Sequence, residues 1–552
     1  MQPITDFLLC FAKPFLQALQ KFFFFPDVTG QFVIAYLWML LLKSILVPVP
    51  GGFEFTTVHR SFFSLQFKEL APSPQWLPNS ETSQVLPVCL ADLRVMKTLW
   101  SRLIENWTRR ISDIFFSGKL KTNVLHALPF WLASLITGLI AVGYTKLFNF
   151  SEGLLHKALS WHHWLIFILA PVNLLIGWFI VMRFAPGARG SGIPQVMAAI
   201  ELPAAKSDKA LSRLLSVRVI VVKIASSAFM VMGGAAIGRE GPTIQIAGSV
   251  FRMVQKWVPS SWPKLARQNF FITGAAAGLA AAFNTPLGGI VFAIEELARI
   301  HISFFRSALF TAVIIAGLTA QNFLGPYLYL GYPDVKDLQP AIFFGVIAAA
   351  VLAGLLGSLM CRWILMLMRW RKDFSSLQQI IFIIATGISI AIVAFYANDD
   401  ILGSGKDLMN ETLFTSNKHV PWHTVVARVL GPILSFNTGA AGGVFAPSLA
   451  AGASIGAWFA GLFGVLGANA NILILSGMVG FLTGVTRTPF TSAILVLEMT
   501  DRHSVIFHLM VAALVANVVA LVVDKHSLYD QLKKNFLEEA RKTEDVIGSG
   551  EQ

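Results

Sequence analysis

From about Leu128 onward, apolar segments follow one another with only short links, at 128–147, 164–184, 218–237, 270–294, 303–323, 341–368, 379–396, 423–436, 443–465, 472–499 and 505–523. A helix needs roughly 20 apolar residues to cross a bilayer. Lipid offers the backbone no water to bond, so consecutive spans of this kind must be helices packed into a bundle. Composition agrees: of 552 residues 55% are apolar and only 13% charged, about half the charged share of a soluble domain. The chain therefore reads as an all-α polytopic membrane protein. Several spans are short or interrupted by Gly and Pro, and discontinuous helices in matching places of two halves point to a substrate site at mid-membrane.

Two halves can be aligned by eye. Gly234-Ala-Ala-Ile-Gly-Arg-Glu-Gly-Pro242 pairs with Gly439-Ala-Ala-Gly-Gly-Val-Phe-Ala-Pro447 at an offset of 205, and Thr285-Pro286 with Glu295 pairs with Thr488-Pro489 with Glu498 at an offset of 203. A duplicated unit of about 200 residues is expected, with halves at 125–330 and 331–530 and a short tail at 531–552. The broken spans leave the number of crossings per copy open between parallel and inverted repeats; the inverted arrangement is favoured, as in many transporters.

The 43 Lys and Arg exceed the 30 Asp and Glu by a formal +13, but the excess flanks the spans instead of forming a nucleic-acid surface. Lys97, Arg102, Arg109, Arg110, Lys119 and Lys121 precede them, and Lys525, Lys533, Lys534, Arg541 and Lys542 follow. By the positive-inside rule both ends are expected in the cytoplasm. Cys10, Cys89 and Cys361 form no pairing or metal-binding pattern. Residues 1–124 read as an extension of unassigned function, apolar at 31–48 and rich in Pro, Ser and Phe at 50–95. With about 23 residues after Tyr529, no C-terminal soluble domain is expected.

Three Gly/Pro clusters carry the chemistry: Gly190-Ser-Gly-Ile-Pro194, Gly238-Arg-Glu-Gly-Pro242 and Gly442-Gly-Val-Phe-Ala-Pro447. Each reads as a helix N-terminus, because Pro suits the first turn and Gly lets bare backbone approach a ligand. Amides at such ends carry partial positive charge and bind anions. Three converging in a membrane would replace part of an anion's hydration shell without a full cationic charge to trap it. Glu240 lies among Gly and apolar neighbours, where an acidic side chain costs about 2.5–3.5 kcal/mol at mid-bilayer. Such a carboxylate can occupy an anion site and, once protonated, yield it.

With these motifs in this order and a late Tyr529, the sequence resembles the CLC family of chloride channels and proton-coupled chloride transporters over roughly residues 125–535. The resemblance implies a homodimer with one pore per subunit, built from two inverted halves of tilted, broken helices. It implies chloride bound by the hydroxyls of Ser191 and Tyr529 and the amides of Val444 and Phe445, with Gly192 and Ile193 in the same turn. It assigns gating to Glu240 and proton transfer to Glu296, and gives Arg239 and Lys223 supporting roles. Ser191, where nitrate-preferring members carry Pro, argues for chloride.

Taken alone, Glu295 and Glu296 would read as a solvated pair closing the span 270–294. Gln195 departs from the family pattern, which has an acidic residue there. Gly403-Ser-Gly-Lys406 resembles a phosphate loop but lacks the upstream Gly and the Ser/Thr after Lys. His162-His163 reads as an interfacial cluster. The expected function is chloride/proton exchange in a bacterial inner membrane, with chloride and protons as substrates and no cofactor, metal or nucleic acid. The alternative is a passive chloride channel on the same fold. A membrane enzyme finds no support in the motifs.

Overall fold

The computed structural model describes residues 119–548, apart from 204–207, 260, 261, 263, 264, 298–305, 326–328, 398–400 and 417. The extension's stretches 31–48 and 50–95 and the first basic cluster up to Arg110 lie outside the described residues.

Within them the chain is helical, with no strand beyond two isolated bridges. The first half runs through α1 (Lys119–Trp161), α2 (Ile166–Phe184), α3 (Ile193–Glu201), α4 (Asp208–Leu214), α5 (Val217–Met232), α6 (Glu240–Trp257), α7 (Arg267–Phe283), α8 (Pro286–Phe292) and α9 (Arg306–Leu324). The second runs through α10 (Ile342–Arg371), α11 (Ser376–Ala397), α12 (Lys406–Phe414), α13 (Trp422–Asn437), α14 (Phe445–Leu462), α15 (Gly467–Thr486), α16 (Pro489–Thr500) and α17 (Ile506–Val523), and α18 (Leu528–Gly548) follows. Nine helical stretches among the described residues are long and apolar enough to cross a membrane. The apolar window of α15 is 89% enclosed by protein, those of α2, α11 and α17 only 33%, so α15 is central and the others face outward.

Small residues set the central packing. A Cβ on Gly452 of α14 would strike the carbonyl of Gly477 in α15, and one on Gly477 would strike that of Gly452. The two backbones are thus in direct contact, as membrane helices with small-residue faces allow. In the first half Gly278 of α7 lies against Ala247 and the Thr243 carbonyl of α6.

Two expected spans are not single helices. The 270–294 stretch breaks where α7 ends at left-handed Asn284 (φ 57°) and α8 begins at Pro286. The 472–499 stretch breaks in the equivalent place, at Arg487 (φ 62°) before Pro489. Proline lacks the N–H to continue a helix and disfavours the helical conformation in the residue before it.

These breaks are joined across the halves. The Glu498 carboxylate accepts hydrogen bonds from the Leu287 and Gly288 amides at the start of α8, at 3.1 and 2.8 Å. Glu295 accepts them from the Phe490 and Thr491 amides at the start of α16, at 3.2 and 2.7 Å, and from the Thr491 hydroxyl at 2.7 Å. Each carboxylate neutralises the other helix's unpaired N-terminal donors. Contacts that are reciprocal between equivalent positions are the mark of two-fold symmetry. Glu295 is therefore not the solvated residue that a local reading of its span suggests.

Candidate functional site

The three Gly/Pro clusters do start helices: α3 at Ile193, α6 at Glu240 and α14 at Phe445. Backbone bonds tie the turns before them. Gly238 and Gly443, equivalent in the two halves, exchange N–H···O bonds of 2.7 and 2.8 Å, while Gly190 donates to the Ala440 carbonyl at 2.8 Å and accepts from the Gly442 amide at 3.1 Å. The Gly238–Gly443 bridge is antiparallel, so α6 and α14 begin side by side and run apart. Gly192, at φ 109°, turns the chain into α3 against α6, where a Cβ would meet the Gly241 carbonyl. Amides of helix first turns have no partner inside their own helix, and here three sets of them meet.

Ser191 and Tyr529 are both buried. Tyr529 lies in the first turn of α18, and its hydroxyl lies close to that of Ser191, neither oxygen making a well-aligned hydrogen bond. Two buried neutral donors are thus left for a third group, which is the arrangement an anion requires. A Cβ on Gly241 would collide with the Ser191 hydroxyl, so this pair sits directly against the start of α6. Ile193, Val444 and Phe445 are also buried, and the Phe445 ring packs on Phe283, their centroids 5.5 Å apart.

Glu240, 1% exposed, folds its carboxylate back over Gly238, where any Cβ would collide with Oε2. The carboxylate faces the Ala446 amide in the first turn of α14 as well as its own amide. It occupies helix-terminal donors of the kind an anion would use. The adjacent Arg239 donates to the Asn149 side chain at 3.0 Å. Glu240 also lines a small cavity, together with Phe148, Asn149, Glu152, Arg239, Tyr329, Ser404 and Lys406.

The supporting residues have structural work. Lys223, fully buried, donates to the Ala188 and Gly190 carbonyls at 2.9 and 2.8 Å, fixing the turn that carries Ser191. Gln195 donates to the Arg189 and Gly187 carbonyls at 2.6 and 3.3 Å, so an amide holds this loop where the family pattern has an acid. Arg189 in turn pairs with Glu539 of α18, and Lys533 of α18 with Glu201 at 2.7 Å. Two ion pairs thereby clip the helix of Tyr529 alongside α3.

Glu296 is buried in a π turn, Ala293–Leu297, that extends α8. Its charge reaches Tyr529, and it stands apart from the Glu240 cavity. The structure thus gathers Ser191, Gly192, Ile193, Glu240, Val444, Phe445 and Tyr529 around one point. Arg239 and Lys223 lie beside it and Glu296 at a remove. Sequence reasoning missed Ala446, whose amide carries no side-chain signal. It also missed Glu152 and Ser404, although the triplet Gly403-Ser-Gly405 repeats Gly190-Ser-Gly192.

Known proteins bear on this arrangement. The profile of a family described as voltage gated chloride channel matches residues 172–521. The H(+)/Cl(-) exchange transporter ClcA of Cronobacter sakazakii is 30% identical over 426 residues, 73% of this chain and 87% of the relative. ClcA of Klebsiella pneumoniae strain 342 is 30% identical over 423 residues, with the same coverage. Among solved structures, a slow cyanobacterial Cl-/H+ antiporter matches with a TM-score of 0.65 at 25% identity, covering 75% of this chain and 98% of that one. A eukaryotic CLC transporter matches with a TM-score of 0.61 at 18% identity over 74% of each chain. The chain is an integral membrane protein with the CLC-type inverted-repeat bundle of tilted and broken helices, and it belongs to the voltage-gated chloride channel (CLC) family.

Proposed function

We propose that the protein exchanges chloride for protons across a membrane. The observation that carries this reading is the Glu240 carboxylate lying on the α14 N-terminus, next to two buried hydroxyls that make no well-aligned hydrogen bond. Chloride binds between the Ser191 and Tyr529 hydroxyls and the first-turn amides of Ile193, Val444 and Phe445, with Gly192 shaping the turn. These neutral dipoles replace water without a fixed charge that would slow release. When Glu240 takes up a proton its carboxyl loses its charge and leaves the α14 amides, and chloride takes them. When chloride moves on, the proton is released and the carboxylate returns. Glu296, buried and near Tyr529, passes the proton on the tail side, so the two ions share the Glu240 region and then part. Lys223 holds the Ser191 turn, and Arg239 sets the field around the carboxylate.

Relatives of the stated similarity are named as exchangers, and Glu296 stands where proton-coupled members of the resembled family carry a glutamate. The proposal extends to a homodimer with one pathway per subunit, in a bacterial inner membrane with both ends cytoplasmic. The full chain reconstituted in liposomes tests the exchange. A chloride gradient should drive protons against their own gradient, whereas reversal potentials indifferent to pH would leave a passive channel.

A further inference from the structure

The Gly403-Ser404-Gly405 turn lacks the pattern of a phosphate loop, and the fold gives it another meaning. Gly403 and Gly405 have positive φ values of 61° and 82°, matching Gly190 and Gly192 at 63° and 109°. Each Gly-Ser-Gly turn leads into a nine-residue helix, α3 or α12. In the two-fold scheme the Ser404 turn is the second half's counterpart of the Ser191 turn. It lines the small cavity that Glu240 also lines, to which Ser191 and Tyr529 do not contribute.

The donors of this second turn already hold an anionic group. Glu152, on α1, accepts hydrogen bonds from the Ser404 amide at 3.2 Å and the Ser404 hydroxyl at 3.3 Å. A Cβ on Gly403 would collide with this same carboxylate. Ser404 is 7% and Arg239 4% exposed, while Glu152 and Lys406 are half-buried. The charged groups facing Glu152 across the cavity are Arg239, Lys406 and Glu240, and the electrostatic interaction between Glu152 and Glu240 couples the two carboxylates. Glu240 forms part of the cavity's wall. The arrangement repeats the one at Glu240: a carboxylate from another element lies on helix-terminal donors in an anion's place.

We propose that the Ser404 turn is a second anion site, on the cavity-side route to Glu240, which a halide or similarly small monovalent anion takes by displacing the Glu152 carboxylate. The inference rests on the exchange reading and adds to it a place where the anion waits before Glu240 yields. Arg239 and Lys406 supply the field that draws the anion in, and Glu152 supplies the competition that keeps it from being held.

Planar bilayer recordings of the full chain, with chloride varied on one side at a time, test this. In Glu152→Ala the half-saturating chloride on the cavity side should fall about tenfold, equivalent to about 1.4 kcal/mol, with the tail side unaltered. Adding Ser404→Ala should reverse that gain. Lys406→Gln, which removes a lining charge without touching the Glu152–Ser404 pair, should raise half-saturating chloride severalfold on the cavity side alone. Identical cavity-side curves for Glu152→Ala and the unmodified protein, or a shift of equal size on both sides, would overturn the second site. A protein that moves no anion at all would instead overturn the exchange reading itself, so the two failures are distinct.

Discussion

At the scale of single residues, the anion site depends on neutral donors and one group able to lose its charge. A neutral hydrogen bond contributes about 0.5–1.5 kcal/mol. Tyr529→Phe should therefore weaken chloride binding about two- to twelvefold, measured by titration calorimetry, without abolishing transport. The acidic residues should behave differently from each other. Glu296→Ala should retain chloride flux and lose proton flux in liposomes, because Glu296 is not among the groups that hold the anion. Glu240→Gln should uncouple the ions and leave a chloride flux that no longer responds to pH. Proton pumping retained in either variant contradicts the role given to it. The donors and the gate were legible because Gly, Pro and an acidic residue in apolar sequence are locally conspicuous. Glu152 was not, for a single Glu near the polar end of a long helix has no local pattern, and its partner Ser404 lies in the other half of the chain.

At the scale of helices, the reciprocal caps of Glu295 and Glu498 hold the broken segments α8 and α16 together. A carboxylate at a helix N-terminus stabilises by about 0.3–1 kcal/mol when exposed and up to about 2 kcal/mol when partly buried. Glu295→Gln and Glu498→Gln should each lower the thermal unfolding midpoint in detergent. The double variant should show close to the sum of the two losses, since the carboxylates cap different helices. A midpoint unchanged in both single variants would show that the caps do not hold the halves. The repeat itself was visible in the Thr-Pro and Glu spacing at 285–295 and 488–498. The breaks were not, because hydropathy runs straight through them and only the prolines mark where the backbone must turn. The capping role of Glu295 was hidden for a similar reason: its partners are the amides of Phe490 and Thr491, nearly 200 residues away along the chain.

For the whole molecule, the two halves place three helix starts at one point inside a bundle whose central helix, α15, is nearly enclosed by protein. The ion pairs from α18 to Arg189 and Glu201 make the Tyr529 side of the site part of that same frame. The central claim is that one carboxylate and one halide compete for the same amides. If so, chloride binding must favour the protonated form of Glu240, and by linkage protonation must favour chloride to the same degree. The most direct measurement is proton uptake on adding chloride to the purified protein in weakly buffered detergent solution. The account predicts that chloride makes the medium more alkaline with the unmodified chain and leaves it unchanged with Glu240→Gln. Chloride binding with no proton uptake, or equal uptake in both proteins, would contradict it.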